Sequence, residues 1–203
     1  MKNIFLFLFF ISSTLIFNSC FKKGKDDPAI SFLSRKMRVV GDWKTTHYYY
    51  KDSQTDSSGG EYVYEFTGDA SSYNVRLLVP GSGFIGKGTF KMKWSFAKDG
   101  TYKEEVSVDG DDRPSDGNWN FMDGVGEFKN KSQIALFEKN YTSSSGLYTH
   151  AGNFVKDSYD IIKLKNKEMH LHTTVNNTWP KGEIVKESYQ YDIYLSLEDK
   201  SKK

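Results

Sequence analysis

His170 and His172 lie two residues apart in a segment of alternating hydrophobicity, so both imidazoles project from one face of a strand. Such a pair offers two nitrogens to zinc or copper, but a protein metal site needs a third or fourth ligand. His47, His150 or a carboxylate would have to arrive through the fold; the pair is read as solvent-facing and no metal is assigned. Residues 109–117, Asp-Gly-Asp-Asp-Arg-Pro-Ser-Asp-Gly, carry oxygen ligands densely enough for calcium. Arg113 stands where another ligand is required and no Glu closes the segment, so a solvated hairpin tip is expected instead. Gly81-Ser82-Gly83-Phe84-Ile85-Gly86 has the spelling of a dinucleotide-binding loop. That loop must open a helix, whose N-terminus holds the phosphates, whereas the residues after Gly86 alternate as a strand. The segment is read as a Pro-Gly turn and flexible loop, and no cofactor is expected. No serine has the context of a nucleophile elbow and the chain holds a single cysteine, so no catalytic residues are assigned and no enzyme is expected.

The elements that must position these residues are strands. Aromatic residues make up 16% of the chain, with Tyr and Phe dominant, a composition that suits a pleated, half-buried surface. Phe90, Met92, Trp94 and Phe96 share one parity and Thr89, Lys91, Lys93 and Ser95 the other, which predicts a strand with one wet face. Lys98-Asp99-Gly100 predicts a tight turn, after which Tyr102, Val106 and Val108 resume the stripe, interrupted by an inward Glu104. Tyr189, Tyr191, Ile193, Leu195 and Leu197 make another stripe, and weaker strands are expected over 43–50, 61–66, 73–79, 118–122, 133–138, 159–164 and 169–175. A second hairpin turn is expected at Lys165-Asn166-Lys167, and polar loops over 51–60 and 141–158. A short helix is predicted over 30–40, with Ile30, Leu33, Met37 and Val40 on its apolar face and Gly41 as its stop. So many antiparallel strands predict an all-β, up-and-down barrel of about eight strands, since closure removes exposed edges. Its interior either fills with side chains or holds one small ligand. Trp94, Phe96, Tyr102, Trp119, Phe121, Tyr189 and Tyr191 are the aromatics expected near that interior. The net charge of +2, with both signs interspersed, gives no nucleic-acid footprint.

Cys20 closes a short apolar run, residues 4–17, that follows Lys2 and precedes Asn18-Ser19. This is the anatomy of a secretory signal peptide, too short for a comfortable membrane span. The cysteine at the cut resembles the lipobox of bacterial lipoproteins, which implies cleavage before Cys20 and acylation, palmitate included, on its thiol. Each buried acyl methylene contributes about 0.8 kcal/mol, so a multiply acylated chain stays on its membrane. The expected organisation is a signal peptide over 1–19, a lipid-anchored tether over 20–29, one domain over 30–198 and a charged tail over 199–203. Lys25-Asp26-Asp27 is similar to the charged tags of surface-exported lipoproteins.

Gly41-Asp42-Trp43 joins the helix to the first strand and resembles the Gly-x-Trp signature of lipocalins. Asp99-Gly100-Thr101-Tyr102, a second Gly-x-Trp at Gly117-Asn118-Trp119 and Tyr159-Asp160-Ile161 follow in the order found in lipocalin-like lipoproteins of the Bacteroidetes type. The Thr-Asp-Tyr motif of standard lipocalins is missing, as is any arginine beyond Arg113; Arg35 or Arg38 is available to pack over the floor in its place. The resemblance implies that Gly41 and Trp43 form the barrel floor. It also implies a cell-envelope protein, on the outer membrane, that binds a small apolar or amphipathic molecule without catalysis. The alternative is an envelope scaffold with a filled barrel that grips a protein or glycan through its outer face or loops.

Overall fold

The stripe of residues 89–96 forms the lower half of a strand of 15 residues, and the same alternation builds almost the whole molecule. The computed structural model describes residues 33–122, 133–143, 146–178 and 184–198. The leader, Cys20, the tether, residues 30–32 and the tail over 199–203 lie outside the described residues. Among the described residues one helix, α1 (Arg35–Val39), leads into ten antiparallel strands. They are β1 (Gly41–Asp56), β2 (Glu61–Asp69), β3 (Ser72–Val79), β4 (Ser82–Phe96), β5 (Thr101–Val108), β6 (Asp111–Met122), β7 (Gln133–Ser143), β8 (Gly146–Leu164), β9 (Glu168–Thr178) and β10 (Ile184–Leu197). Each strand pairs with its neighbours in sequence, and β10 returns to β1 to close the barrel.

The register contains a second closure. Gly41 to Lys44 of β1 pair directly with Phe96 to Lys93 of β4. Beyond them β1 turns to β2, with His47 opposite Asp69 and Thr55 opposite Glu61, while β4 turns to β3. The β2–β3 hairpin is thus wedged between β1 and β4 in the upper half only. The barrel as a whole takes in all ten strands, whereas at the base β1 meets β4 directly, so β2 and β3 are bypassed there and eight strands close the ring. Barrel diameter grows with strand number, so the molecule is narrow at its base and wide above. A bulge at Thr46 of β1 bends the strand where the rings part. The Phe90 ring fills the fork beside Gly68, where a Cβ would stand 2.6 Å from it.

The narrow half is packed solid. Trp43, Trp94, Leu136, Leu164, Leu171 and Ile193 are fully buried there. Edge-to-face contacts run from Phe96 to Trp119 and on to Phe121, each at 5.6 Å between ring centroids, the geometry that ring quadrupoles favour. Trp43 lies opposite Trp94 and Leu197 in the two flanking registers, and its Nε1 donates to the Val39 carbonyl at 2.8 Å. Gly41 has φ +148, and a Cβ on it would meet Leu197 at 2.5 Å, so the lead-in to the base tolerates only glycine.

Several expectations are corrected. The helix starts at Arg35, with Ser34 as its N-cap: its Oγ accepts from the Met37 amide at 3.2 Å. Its buried face carries Arg35, Arg38 and Val39, while Leu33 and Met37 are exposed, the reverse of the expected apolar stripe. The reason is the strand end beneath it, where the Arg38 guanidinium donates to the Leu164 carbonyl. Residues 82–86, read as a loop, begin β4. The expected loops over 51–60 and 141–158 are mostly strand, as β1 runs to Asp56 and β7 and β8 occupy most of the second segment. Only Asp109 and Gly110 turn in the acidic segment; the rest is β6. In every case a partner strand supplied the hydrogen bonds that a polar sequence was expected to find in water. The turns at Lys98-Asp99-Gly100 and Lys165-Asn166-Lys167 stand where expected, the first held by Asp99 accepting from Thr101 N at 2.9 Å.

Candidate functional site

The other half of the barrel holds a cavity of about 520 Å³ that is open to solvent. One side of it is aromatic. Tyr48 and Tyr50 of β1, Phe66 of β2, Phe90 of β4, Tyr159 of β8 and Tyr191 of β10 line it. Tyr50 stacks on Tyr191 at 4.5 Å, and Tyr48 packs edge-on against Phe66 at 5.8 Å. Burial raises the Tyr48 and Tyr159 hydroxyls well above the ordinary tyrosine value, so they present neutral O–H groups.

The other side is charged. Glu104 of β5, Ser115 of β6, Glu138 of β7 and Lys156 and Asp157 of β8 all face the cavity. The Lys156 ammonium bonds Glu104 Oε2, stands 3.2 Å from Glu138 Oε1 and donates to Ser115 Oγ at 3.3 Å. Ser115 Oγ in turn donates to Glu104 Oε2 at 3.0 Å. Both glutamates are buried, at 5% and 8% exposure; Lys156 pairs with both, and the Ser115 hydroxyl satisfies Glu104 as well. Burial opposes the Lys156 charge, yet the two glutamates outweigh it and hold its pKa above the usual lysine value. Burial pushes the Asp157 carboxyl up to about 6; the Lys156 charge opposes that rise and the Glu104 and Glu138 charges reinforce it.

How one strand turns two consecutive side chains inward is a matter of register. Leu136 pairs with Asp157 and Phe137 with Val155, leaving Lys156 unpaired as a β-bulge. A bulge breaks the two-residue alternation, so Lys156 and Asp157 both reach the cavity. A bulge at Lys139 of β7 shifts the neighbouring strand as well, so that Ser115 lies opposite Tyr141, also at the cavity wall.

Of the seven aromatics expected near the interior, Tyr191 alone lines this cavity. Trp94, Phe96, Tyr102, Trp119 and Phe121 are buried in the packed core. Tyr189 packs edge-on against Tyr191 at 6.1 Å. Gly41 and Trp43 lie at the narrow end, far along β1 from Tyr48 and Tyr50. Glu104 does point inward. Ser115, Glu138, Lys156 and Asp157 were not anticipated, although Glu138 shares the parity of Ile134 and Leu136, the same signal that exposed Glu104. His170 and His172 stand on the outer face, flanking Asp192 Oδ1 at 3.1 and 2.8 Å, and His170 stacks on Tyr194 at 4.0 Å. Among the described residues no group of three or more His, Cys, Asp or Glu is arranged to hold a metal ion.

No protein-family model matches the chain, and comparison with curated proteins and with solved structures gives no match.

Proposed function

We propose that this chain is a membrane-anchored, lipocalin-like binding protein that takes a small amphipathic molecule into the wide half of its barrel and does no chemistry on it. The observation that carries this reading is the cavity of about 520 Å³, lined by aromatic side chains together with a cluster of charged ones. That size and that division suit a ligand with an apolar body and a polar end. The apolar leader and Cys20 support attachment at the cell envelope, at the outer membrane. The order of the Gly-x-Trp, Asp-Gly-Thr-Tyr and Tyr-x-Ile segments supports the lipocalin-like reading.

Two measurements test it. The Cys20→Ser chain should leave the membrane fraction in fractionated cells while keeping its β-type circular dichroism. The same chain should bind a neutral lipophilic fluorophore saturably, with a 1:1 complex visible in native mass spectrometry, and Tyr191→Ala together with Tyr50→Ala should weaken that binding at least tenfold. Absence of any saturable complex would sink the binding function.

A second reading, an interaction scaffold for an envelope protein or glycan, has one observation in its favour. β5 ends at Val108, so among the described residues Ser82 to Gly88 of β4 pair on one side only. Phe84 and Ile85 on that edge are 60% and 79% exposed, and open apolar edges invite strand addition. Affinity capture from envelope extracts with wild-type chain and with Phe84→Lys/Ile85→Lys separates the readings, since only a scaffold loses its partner in that variant.

A further inference from the structure

β3 pairs with β4 from Ser82 to Thr89, but β5 joins the other side of β4 only at Phe90. Beside Thr89 the turn after β5 takes the place of a strand: the Thr89 amide donates to Asp109 Oδ1 at 2.8 Å, and the Asp109 amide donates to the Thr89 carbonyl at 3.0 Å. Backbone direction alternates along a strand, so Lys87, Ile85 and Gly83 aim their N–H and C=O groups the same way, off an edge where no strand lies among the described residues. Phe84 and Ile85 stand exposed on that edge, and from Leu77 to Gly86 the chain carries no charge to repel an incoming strand. The edge is also complementary to itself. Its sequence is Ser82-Gly83-Phe84-Ile85-Gly86-Lys87-Gly88. Laid antiparallel against a second copy about Ile85, every other side chain meets a glycine: Ser82 lies opposite Gly88, Phe84 opposite Gly86 and Lys87 opposite Gly83, while Ile85 meets Ile85 on the two-fold axis. The same register sets the outward backbone groups against one another, Gly83 with Lys87 and Ile85 with Ile85, and each such pair exchanges two hydrogen bonds. The Phe84 ring lies across Gly86 of its own strand, where a Cβ would stand 2.9 Å from it, and the opposing Gly86 leaves it room on the other side. Pairing centred on Gly86 would set Ile85 against Lys87 and push Gly83 onto Thr89, whose amide and carbonyl Asp109 holds. Pairing centred on Phe84 would leave Lys87 facing the turn at Gly81.

We infer that this chain pairs with a second copy of itself through the β4 edge, in the register centred on Ile85, so that one sheet runs through both barrels. The contact is isologous and uses up the edge on each copy, so it closes at two and does not propagate. A strand pair of this length makes a small interface, under about 1,200 Å² in total, and the dimer is correspondingly weak in solution, with a Kd on the order of 10–100 µM. It is independent of what the cavity holds, and it assigns to the chain itself the edge that a scaffold would offer to another protein.

Sedimentation of the Cys20→Ser chain from about 1 to about 500 µM should show a monomer–dimer equilibrium and no larger species. Ile85→Lys sets two ammonium groups against each other on the axis and should weaken the dimer at least tenfold while keeping the β-type circular dichroism. In the Cys20→Ser background Ile85→Cys should oxidise to a disulfide-linked dimer, because the Cα atoms of a hydrogen-bonded antiparallel pair stand about 5.5 Å apart. Phe84→Cys should not, since its like residue lies two places along the partner strand, beyond the roughly 7 Å that a disulfide spans. A chain that stays monomeric at the highest concentration overturns the inference, as does a dimer that Ile85→Lys leaves intact or cross-linking as efficient from Phe84→Cys as from Ile85→Cys. A monomer that floats with phosphatidylglycerol vesicles, and no longer does so as Ile85→Lys, overturns it too and gives the edge to a lipid surface. The cross-links read the register even if Ile85→Lys does not fold, and saturable binding of the lipophilic fluorophore decides the ligand-binding reading separately.

Discussion

Lys156 pairs with two buried acids, Glu104 and Glu138, and its removal has a definite cost. Taking one partner from a buried ion pair leaves the other charge unsatisfied, typically about 3 kcal/mol or more. Lys156→Met should lower unfolding stability in urea by about 3 kcal/mol, and adding Glu104→Gln and Glu138→Gln should restore most of that loss. Asp157 gives the opposite kind of prediction. Its carboxyl titrates at about 6 in the fold against 3.8 unfolded, so the folded state binds the proton more tightly. The stability this contributes is present below about pH 4 and is lost as pH rises through 6. Asp157→Asn should therefore be near neutral at pH 4 and stabilising by about 2 kcal/mol at pH 8, read from urea midpoints at the two values. At this scale Glu104 and Glu138 were legible in the sequence, as acids on the apolar parity of strands. Lys156 and Asp157 were not, because adjacent residues face one way only at a bulge, and a bulge exists only between two paired strands.

The β2–β3 hairpin is the element that makes the cavity. Its wedge between β1 and β4 adds two strands to the upper ring, and the fork is filled by Phe90 lying against Gly68. Gly68 does not have a left-handed backbone, so an alanine there tests packing alone. With a Cβ 2.6 Å from the Phe90 ring, Gly68→Ala should cost about 1–2 kcal/mol in urea unfolding, and Phe90→Leu in the same chain should recover part of it by making room. All ten strand segments were visible as stripes or weaker runs, but their lengths were not. β1, β4, β7 and β8 extend well past their alternating cores into polar sequence, because the partner across the ladder, rather than hydrophobicity, keeps those residues extended.

Across the whole molecule the two rings divide the labour. The eight-strand base buries the aromatic core, and the half beyond it, where β2 and β3 enter, holds the cavity. Local opening free energies follow buried apolar contact, so amide exchange should be slowest around Leu136, Leu171 and Ile193 and faster throughout β2 and β3. A hydrogen-exchange map with uniform protection from base to rim would contradict that division. Composition and period by themselves determined the all-β class, the antiparallel meander and the aromatic residues of the core, because burial of one strand face is written in a two-residue repeat. Tertiary structure alone decided the strand count at each height, the bulge that turns Lys156 and Asp157 inward, and which aromatics line the cavity rather than fill the base. Those outcomes depend on register between strands distant in sequence, and a one-residue shift in register changes the face that every later side chain presents.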